Sequence, residues 1–261
     1  MINLIVTTAG RTDSHMIEQA KGIAKDLEST FMVRNKTSIS ELQSRINDDF
    51  LVVGKSRLEL YVLNGKEPLF FHPNSAMFRL KRIIRGEDDP FLEATKLQKG
   101  MTFLDCTIGL GSDCIVASFI TGQTGSVIGI EGNRYLSYLV ATGLKTWDTG
   151  IPEINAAMQT IEVIYSEHLD YLRSSASNSI DVVYFDPMFE ENIAESKGIE
   201  ALKKVAIYRD LSFEIIEEAR RVAKNRIVLK DHWKSERFIK FGFKVNKRKT
   251  SKFHFGVLNL L

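Results

Sequence analysis

The stretch Thr102–Asp113 is the feature that most restricts how this chain can fold. Thr102–Cys106 has the apolar character of a buried strand. Gly109 and Gly111 follow it and allow a tight turn, and a helix opens at Ser112. A strand, a glycine turn and a helix form the first unit of a parallel α/β sheet, whose ligands bind at the carboxyl ends of the strands.

Strands and helices alternate from Met101 onward, which predicts a Rossmann-like, doubly wound and mostly parallel sheet. The last two strands have only a short link between them, and an antiparallel last strand fits that link. The predicted strands are Thr102–Cys106, Ser126–Glu131, Ile161–Tyr165, Asp181–Asp186, Arg226–Lys230, Phe243–Asn246 and Phe253–Leu258. The predicted helices are Ser112–Thr121, Arg134–Trp147, His168–Ser174, Tyr208–Ala223 and Lys234–Phe241.

The residues before this sheet predict a small N-terminal α/β domain over 1–74 and connecting helices over 75–100, so the main domain spans 101–261. Ser75 is expected to cap a helix that runs to Arg85, and Pro90 to start a helix that runs to about Leu97. The N-terminal strands are predicted at Ile2–Thr7, Phe31–Val33, Phe50–Val53, Leu58–Leu63 and Leu69–Phe71, and the helices at Ser14–Leu27 and Ser40–Ile46.

Acidic residues around the glycine turn favour a cationic ligand over a dinucleotide. The pattern G-x-G-x-x-G would need glycine at 114, where this chain has Cys114. Asp105 and Asp113 would repel a pyrophosphate but attract the sulfonium and ammonium groups of S-adenosylmethionine. Glu131, at the end of the second strand, can accept both hydroxyls of a ribose. The alternative is a glycine turn with capping acids and no ligand.

The sequence Asp186-Pro-Met-Phe189 ends the fourth strand of the main domain. The carboxylate of Asp186 and the carbonyl of Pro187 can accept the two N–H bonds of a planar amine, and the Phe189 ring can stack on a base. These roles predict methyl transfer to an exocyclic base amine, with Met188 lining the substrate. The alternative is an ordinary turn at a strand end.

Positive charge is concentrated near the C-terminus, although the whole chain is nearly neutral, with 35 Lys+Arg and 33 Asp+Glu. The window 220–252 has two acids, Asp231 and Glu236, which predicts contact with a polyanion such as RNA. A solvated surface is the alternative. The window's basic residues are Arg220, Arg221, Lys224, Arg226, Lys230, Lys234, Arg237, Lys240, Lys244, Lys247, Arg248, Lys249 and Lys252.

The remaining composition gives simpler expectations. Cys106 and Cys114 show neither a disulfide framework nor zinc-ligand spacing, so we predict no metal site. Without a signal peptide or an apolar run of membrane-spanning length, a cytoplasmic protein is expected.

Four motifs resemble class I S-adenosylmethionine-dependent methyltransferases: Asp105-Cys-Thr-Ile-Gly-Leu-Gly-Ser-Asp113, Glu131-Gly-Asn133, Asp186-Pro-Met-Phe189 and Ile227-Val-Leu-Lys230. Over about residues 50–258 the chain is most similar to the small-subunit ribosomal RNA guanine-N2 methyltransferase J family. That family usually has arginine where Ser112 and Gly132 stand, and serines in place of Glu167-His168. The resemblance implies cofactor contacts at Ser112, Asp113, Glu131, Gly132, Glu167, His168 and Asp186.

Three functions follow from these features. The first is an RNA base N-methyltransferase acting on guanine N2 of small-subunit ribosomal RNA. Asp186, Pro187 and Phe189 would then be catalytic, and phosphates would be gripped by Lys230, Arg79, Arg82, Lys247, Arg248 and Lys249. The second is a methyltransferase for a small molecule or a protein. The third is a nucleic-acid-binding protein without catalysis.

Overall fold

The computed structural model describes residues 3–187, 210–248 and 251–260, in two compact units. One unit contains the residues up to His72 together with Arg134–Trp147. The other contains Pro73–Asn133 and the described residues from Asp148 onward. The domain bounds predicted from the sequence stay a prediction. No helix in the described part of the chain combines the length and the apolarity needed to cross a membrane.

The first unit is built on a four-stranded sheet in the order β2-β1-β3-β4. β1 is parallel to β2 and β3, and β4 is antiparallel to β3. The predicted strand at Leu69–Phe71 is only a single bridge between Leu60 and Leu69. The elements are β1 (Leu4–Thr8), α1 (Ser14–Asp26), β2 (Thr30–Phe31), α2 (Ile39–Ile46), β3 (Asp49–Val53) and β4 (Leu58–Tyr61).

The second unit is built on a seven-stranded sheet in the order β10-β11-β9-β8-β5-β6-β7. β11 is antiparallel to both of its neighbours and the other pairs are parallel, which confirms the predicted fold class. The strands are β5 (Thr102–Asp105), β6 (Ser126–Glu131), β7 (Glu162–Tyr165), β8 (Ile180–Phe185), β9 (Ala223–His232), β10 (Lys244–Asn246) and β11 (Phe253–Asn259).

The helices from residue 74 onward differ from the sequence prediction in four places. α3 begins at Asn74 with Pro73 as its cap, so the prediction of a Ser75 cap is wrong. α7 begins at Pro152 and was not predicted, and the helix predicted over Lys234–Phe241 is the single turn α10. The helix predicted from Tyr208 begins only at Phe213. The helices are α3 (Asn74–Ile84), α4 (Pro90–Thr95), α5 (Ser112–Thr121), α6 (Arg134–Thr146), α7 (Pro152–Gln159), α8 (His168–Ser174), α9 (Phe213–Val222) and α10 (Arg237–Lys240).

The order of the strands reverses between β5 and β8, and open α/β sheets bind ligands at such a point. Backbone hydrogen bonding continues there beyond the strands, because the Cys106 amide donates to the Tyr184 carbonyl at 2.9 Å. The Asp186 amide donates to the Thr107 hydroxyl at 2.6 Å. These bonds fix the glycine turn after β5 and the first residue after β8 side by side.

Gly129 on β6 lies directly beneath this turn. A Cβ on Gly129 would stand 2.2 Å from Cδ1 of Ile108, which is buried in the turn. We therefore expect Gly129→Ala to lower the free energy of unfolding by about 1–3 kcal/mol through overpacking. Urea unfolding measures this loss. Because Ile108→Ala removes the clashing atoms, the double variant should lose less free energy of unfolding than the sum of the two single losses. A double loss equal to that sum would contradict the proposed clash.

Candidate functional site

The glycine turn after β5 is closed by a buried carboxylate. Gly109 and Gly111 have φ angles of 51° and 77°, a left-handed conformation that glycine adopts readily. Asp105 Oδ1 accepts the Thr107 amide at 2.9 Å, and its Oδ2 accepts the Cys114 thiol at 3.5 Å. Burial and the charge of Asp113 raise the pKa of Asp105 to about 7. Asp105 therefore stabilises the turn through hydrogen bonds to residues on both sides of the two glycines.

Asp113, near the start of α5, is the centre of a buried ion-pair network. Its Oδ1 lies 2.5 Å from Arg79 Nη1, and its Oδ2 accepts the Tyr184 hydroxyl at 2.9 Å. Lys230 Nζ lies 3.5 Å from the same Oδ2. Burial favours the neutral acid, but the charges of Lys230 and Arg79 hold the pKa of Asp113 below its usual range. The sequence did not indicate that this charge is balanced within the protein.

Arg79 on α3 is part of this network and is not a surface cation. Its Nε and Nη2 each lie 2.9 Å from an oxygen of Asp89, which also caps α4 through the Phe91 amide. The side chain of Arg79 is only 19% exposed. The prediction that Arg79 grips a phosphate is therefore corrected: its guanidinium binds Asp89 and Asp113.

Lys230 on β9 faces the carboxylate that follows β8. Its Nζ lies 2.5 Å from Asp186 Oδ2. The nearby carboxylates hold the pKa of Lys230 above its usual range despite its burial. Burial raises the pKa of Asp186 to about 6; Lys230 opposes this rise, and Asp113 adds to it. Lys230 was predicted to contact a phosphate, but the structure places it as the ion-pair partner of Asp186.

The ends of β6 and β7 carry the remaining predicted cofactor residues. Glu131 accepts the Asn133 amide at 2.9 Å, and Gly132 is the residue between them. Burial raises the pKa of Glu131 to about 7, and the charge of Glu167 contributes to this rise. Glu167 caps α8, and His168 is the first residue of that helix.

The polar groups of this site fit a nucleoside-type cofactor that carries a positive charge. The Oγ of Ser112 is buried and has no hydrogen-bond partner among the described residues, so a ligand at the start of α5 could satisfy it. Glu131 offers a buried carboxylate to hydroxyl groups. The turn at Gly109 and Gly111 lets a ligand approach the backbone closely.

The predicted substrate-binding residues are only partly brought together. Pro187 is buried next to Asp186, whereas Met188, Phe189 and Lys249 lie outside the described residues. Arg82 pairs with Glu87 at 2.7 Å. Lys247 and Arg248 are exposed beyond the end of β10. Phe253, the first residue of β11, pairs with His232, so the preceding Lys252 lies at the sheet edge where β9 ends.

The basic C-terminal window is less of a single surface than its composition indicates. Arg221 donates to the carbonyls of Ser175 and Leu172, and Arg226 donates to that of Ala94. Arg237 pairs with Asp231, which is buried. These arginines stabilise the fold, so the outward-facing charge comes from a smaller set of exposed residues: Lys224, Lys234, Lys240, Lys244, Lys247, Arg248 and Lys252.

Sequence reasoning missed two members of the site. Tyr184 is fully buried in β8 and bonds Asp113, and Thr107 bonds both Asp105 and the Asp186 amide. Tyr184 is the one polar ring in an otherwise apolar run, a signal that a buried hydrogen bond is needed. Thr107 gave no comparable signal.

Comparison with known proteins gives a consistent family assignment. Residues 35–255 match the family model described as "Putative SAM-dependent methyltransferase". The chain is 50% identical over 254 residues to the "Uncharacterized protein YpiP" of Bacillus subtilis, covering 97% of this chain and 98% of that protein.

More distant relatives carry a more specific name, "Ribosomal RNA small subunit methyltransferase J". The protein of this name from Saccharophagus degradans is 32% identical over 142 residues, covering 49% of this chain and 51% of its own length. The one from Francisella philomiragia is 24% identical over 230 residues, covering 87% and 92%.

The fold is also that of a solved protein from Neisseria gonorrhoeae described as a SAM-dependent methyltransferase. The TM-score is 0.65 at 17% identity, and the match covers 98% of this chain and 96% of that one. At this level of identity the likeness shows the shared fold.

Proposed function

Because this chain belongs to the SAM-dependent methyltransferase family, we propose that it methylates an exocyclic amine of an RNA base, with guanine N2 of small-subunit ribosomal RNA as its target. S-adenosylmethionine is the cofactor of the family. The observation that carries the proposal is the placement of Asp186. Its carboxylate follows β8 at the reversal point of the sheet, beside the glycine turn, and is held by Lys230 at 2.5 Å.

The residues at the ends of β5, β6 and β7 would hold the cofactor. Glu131 would accept ribose hydroxyls, and Gly132, Glu167 and His168 would lie along the adenosine. The turn at Gly109 and Gly111, with Ser112 and Asp113 behind it, would face the amino-acid end. When bound, S-adenosylmethionine supplies a methyl group attached to a positively charged sulfur.

Asp186 would orient the amine and take up its proton. The lone pair of a base amine is delocalised into the ring, so the amine reacts poorly unless its geometry is fixed. An Asp186 oxygen and the Pro187 carbonyl would accept the two N–H bonds. Once the nitrogen is methylated it must lose one proton, and a carboxylate with a pKa of about 6 can hold that proton near neutral pH.

Ribosomal RNA is favoured as the substrate by the names of the distant relatives and by the charge near the site. Lys247, Arg248 and Lys252 are exposed in the loop between β10 and β11, and Trp233 is 52% exposed at the end of β9. Exposed cations with an aromatic ring suit an unpaired RNA strand. A cytoplasmic location belongs to this proposal, because the small ribosomal subunit is assembled there.

Labelled methyl groups can identify the class of acceptor. The enzyme would be incubated with methyl-tritiated S-adenosylmethionine and, separately, with RNA, protein and small molecules from a strain that lacks its gene. We expect label in the RNA fraction only. Label confined to the protein or small-molecule fraction would contradict the proposal.

A further inference from the structure

Three loops of the first unit meet at one edge of its sheet. They follow the parallel strands β1, β2 and β3, and Thr8 is paired with Val53 where β1 and β3 end. Hydrogen bonds extend this alignment into the loops: the Ala9 amide donates to Val53, and the Met32 amide donates to Val6, each at 2.9 Å. Residues 9–13, 32–37 and 54–57 therefore lie together at the carboxyl edge of the small sheet.

These loops carry five cations, which we call the edge cluster: Arg11, Arg34, Lys36, Lys55 and Arg57. Two of the five are fixed in place by the fold. Arg34 Nε donates to the Thr37 carbonyl at 2.6 Å, and its Nη2 would stand 4.0 Å from a Cβ on Gly10 in the neighbouring loop. The Arg57 guanidinium lies 3.7 Å from the centre of the Phe70 ring.

The electrostatic effects of these two arginines overlap. Burial and Glu59 raise the pKa of Tyr61, and the charges of Arg34 and Arg57 both oppose that rise. Burial and the charge of Arg57 lower the pKa of His72. Positive charge from two loops thus acts on one small region of the first unit.

The acidic side chains close to the edge cluster already have partners within the protein. Asp13, the one acid in these three loops, caps α1 by accepting the Met16 amide at 2.8 Å. Glu59, just beyond them, pairs with Arg57 at 2.6 Å. The first turn of α1 has no acid, so the positive N-terminal end of the helix dipole adds to the positive potential of the edge cluster. Arg11, Lys36 and Lys55 are exposed beside it.

We propose that the edge cluster is a second RNA-binding surface, which holds backbone phosphates of the substrate. Cations spread over three loops suit a chain of phosphates more than one compact anion, and such contacts position RNA without reading its sequence. This inference rests on the proposed RNA substrate and deepens it, because it gives the first unit the task of docking the substrate.

Charge reversal in the edge cluster tests this role. The variant Lys36→Glu/Lys55→Glu is compared with Lys21→Glu/Lys25→Glu, which changes the net charge equally on the exposed side of α1. The dissociation constant for small-subunit ribosomal RNA transcribed in vitro is measured between 50 and 200 mM KCl. We expect the edge variant to bind roughly tenfold more weakly, and its log–log salt slope to fall by about 1.4 for two lost contacts. The control should stay close to the wild type.

The outcomes separate this inference from the proposed function. Equal binding by the edge variant and the control, in an enzyme whose wild type methylates RNA, would overturn the edge cluster as an RNA surface. Absence of RNA methylation by the wild type would overturn the proposed function itself. Loss of binding to anionic phospholipid vesicles in the edge variant, with RNA binding unchanged, would assign the surface to membranes and overturn the inference.

Discussion

Asp186→Ala is expected to lower kcat/KM for methyl transfer on the order of 10²–10³-fold, while the affinity for S-adenosylmethionine changes little. The carboxylate would orient the amine and accept its proton. Lys230 holds it at 2.5 Å, whereas Asp113 lies 3.5 Å from the same ammonium group. Cofactor affinity should survive because most of the proposed cofactor contacts are on the ends of β5, β6 and β7. Single-turnover methyl transfer and calorimetric titration of the cofactor measure the two effects separately.

Asp181→Ala is the matched control for this variant. Asp181 lies near the start of the same strand, accepts the Thr102 amide at 2.7 Å and is remote from the glycine turn. Its loss should lower thermal stability and leave the turnover of the folded enzyme nearly unchanged. Full activity in Asp186→Ala, or an equal loss in both variants, would show that Asp186 does not orient the substrate.

Lys230→Met is expected to move the acidic limb of the kcat/KM profile to higher pH. Besides the cation of Lys230, three carboxylates interact electrostatically with the carboxylate of Asp186: Asp105, Asp113 and Asp231. Lys230 lowers the pKa of Asp186, so removing it leaves burial and like charges to raise that pKa above about 6. The ionised form is the active one and exists above the pKa. Activity lost at neutral pH should therefore return as the pH rises.

This pH rescue distinguishes a positioning role from a purely structural one. Breaking a fully buried ion pair costs about 3–5 kcal/mol, but the side chains of Lys230 and Asp186 are 26% and 23% exposed, so the expected loss is smaller. Lys230→Met should therefore also melt at a lower temperature. Lys224→Met on the same strand removes a partner of Asp181, at 3.6 Å, and is the control. It should leave the pH profile unchanged. An unshifted acidic limb in Lys230→Met would mean that Lys230 does not set the ionisation of Asp186.

The architecture of the second unit could be predicted because local patterns determine most of it. The buried part of β8, Val182–Phe185, is an unbroken run of apolar and aromatic residues, and the short link before the last strand predicts its antiparallel direction. The errors occur where tertiary contacts override local preference. α3 has no side-chain cap, although Ser75 offers a hydroxyl one residue after its start.

The candidate site was predicted less completely, because its charges are paired over long distances in the sequence. Asp113 binds Arg79, 34 residues before it, and Lys230, 117 residues after it. A sequence shows that such residues are charged but not that they neutralise one another. Arg79 and Lys230 therefore resembled phosphate ligands. Asp186 was easier to select as a candidate, because its proposed role depends on its position at a strand end.

The modified nucleoside itself tests the central claim most directly. Small-subunit ribosomal RNA from a strain that lacks the gene would be treated with wild-type enzyme or Asp186→Ala, digested to nucleosides and analysed by mass spectrometry. The proposed function predicts that N2-methylguanosine increases with the wild-type enzyme and not with the variant. A methyl group found on ribose or on a ring carbon, or no new methylated nucleoside, would contradict it.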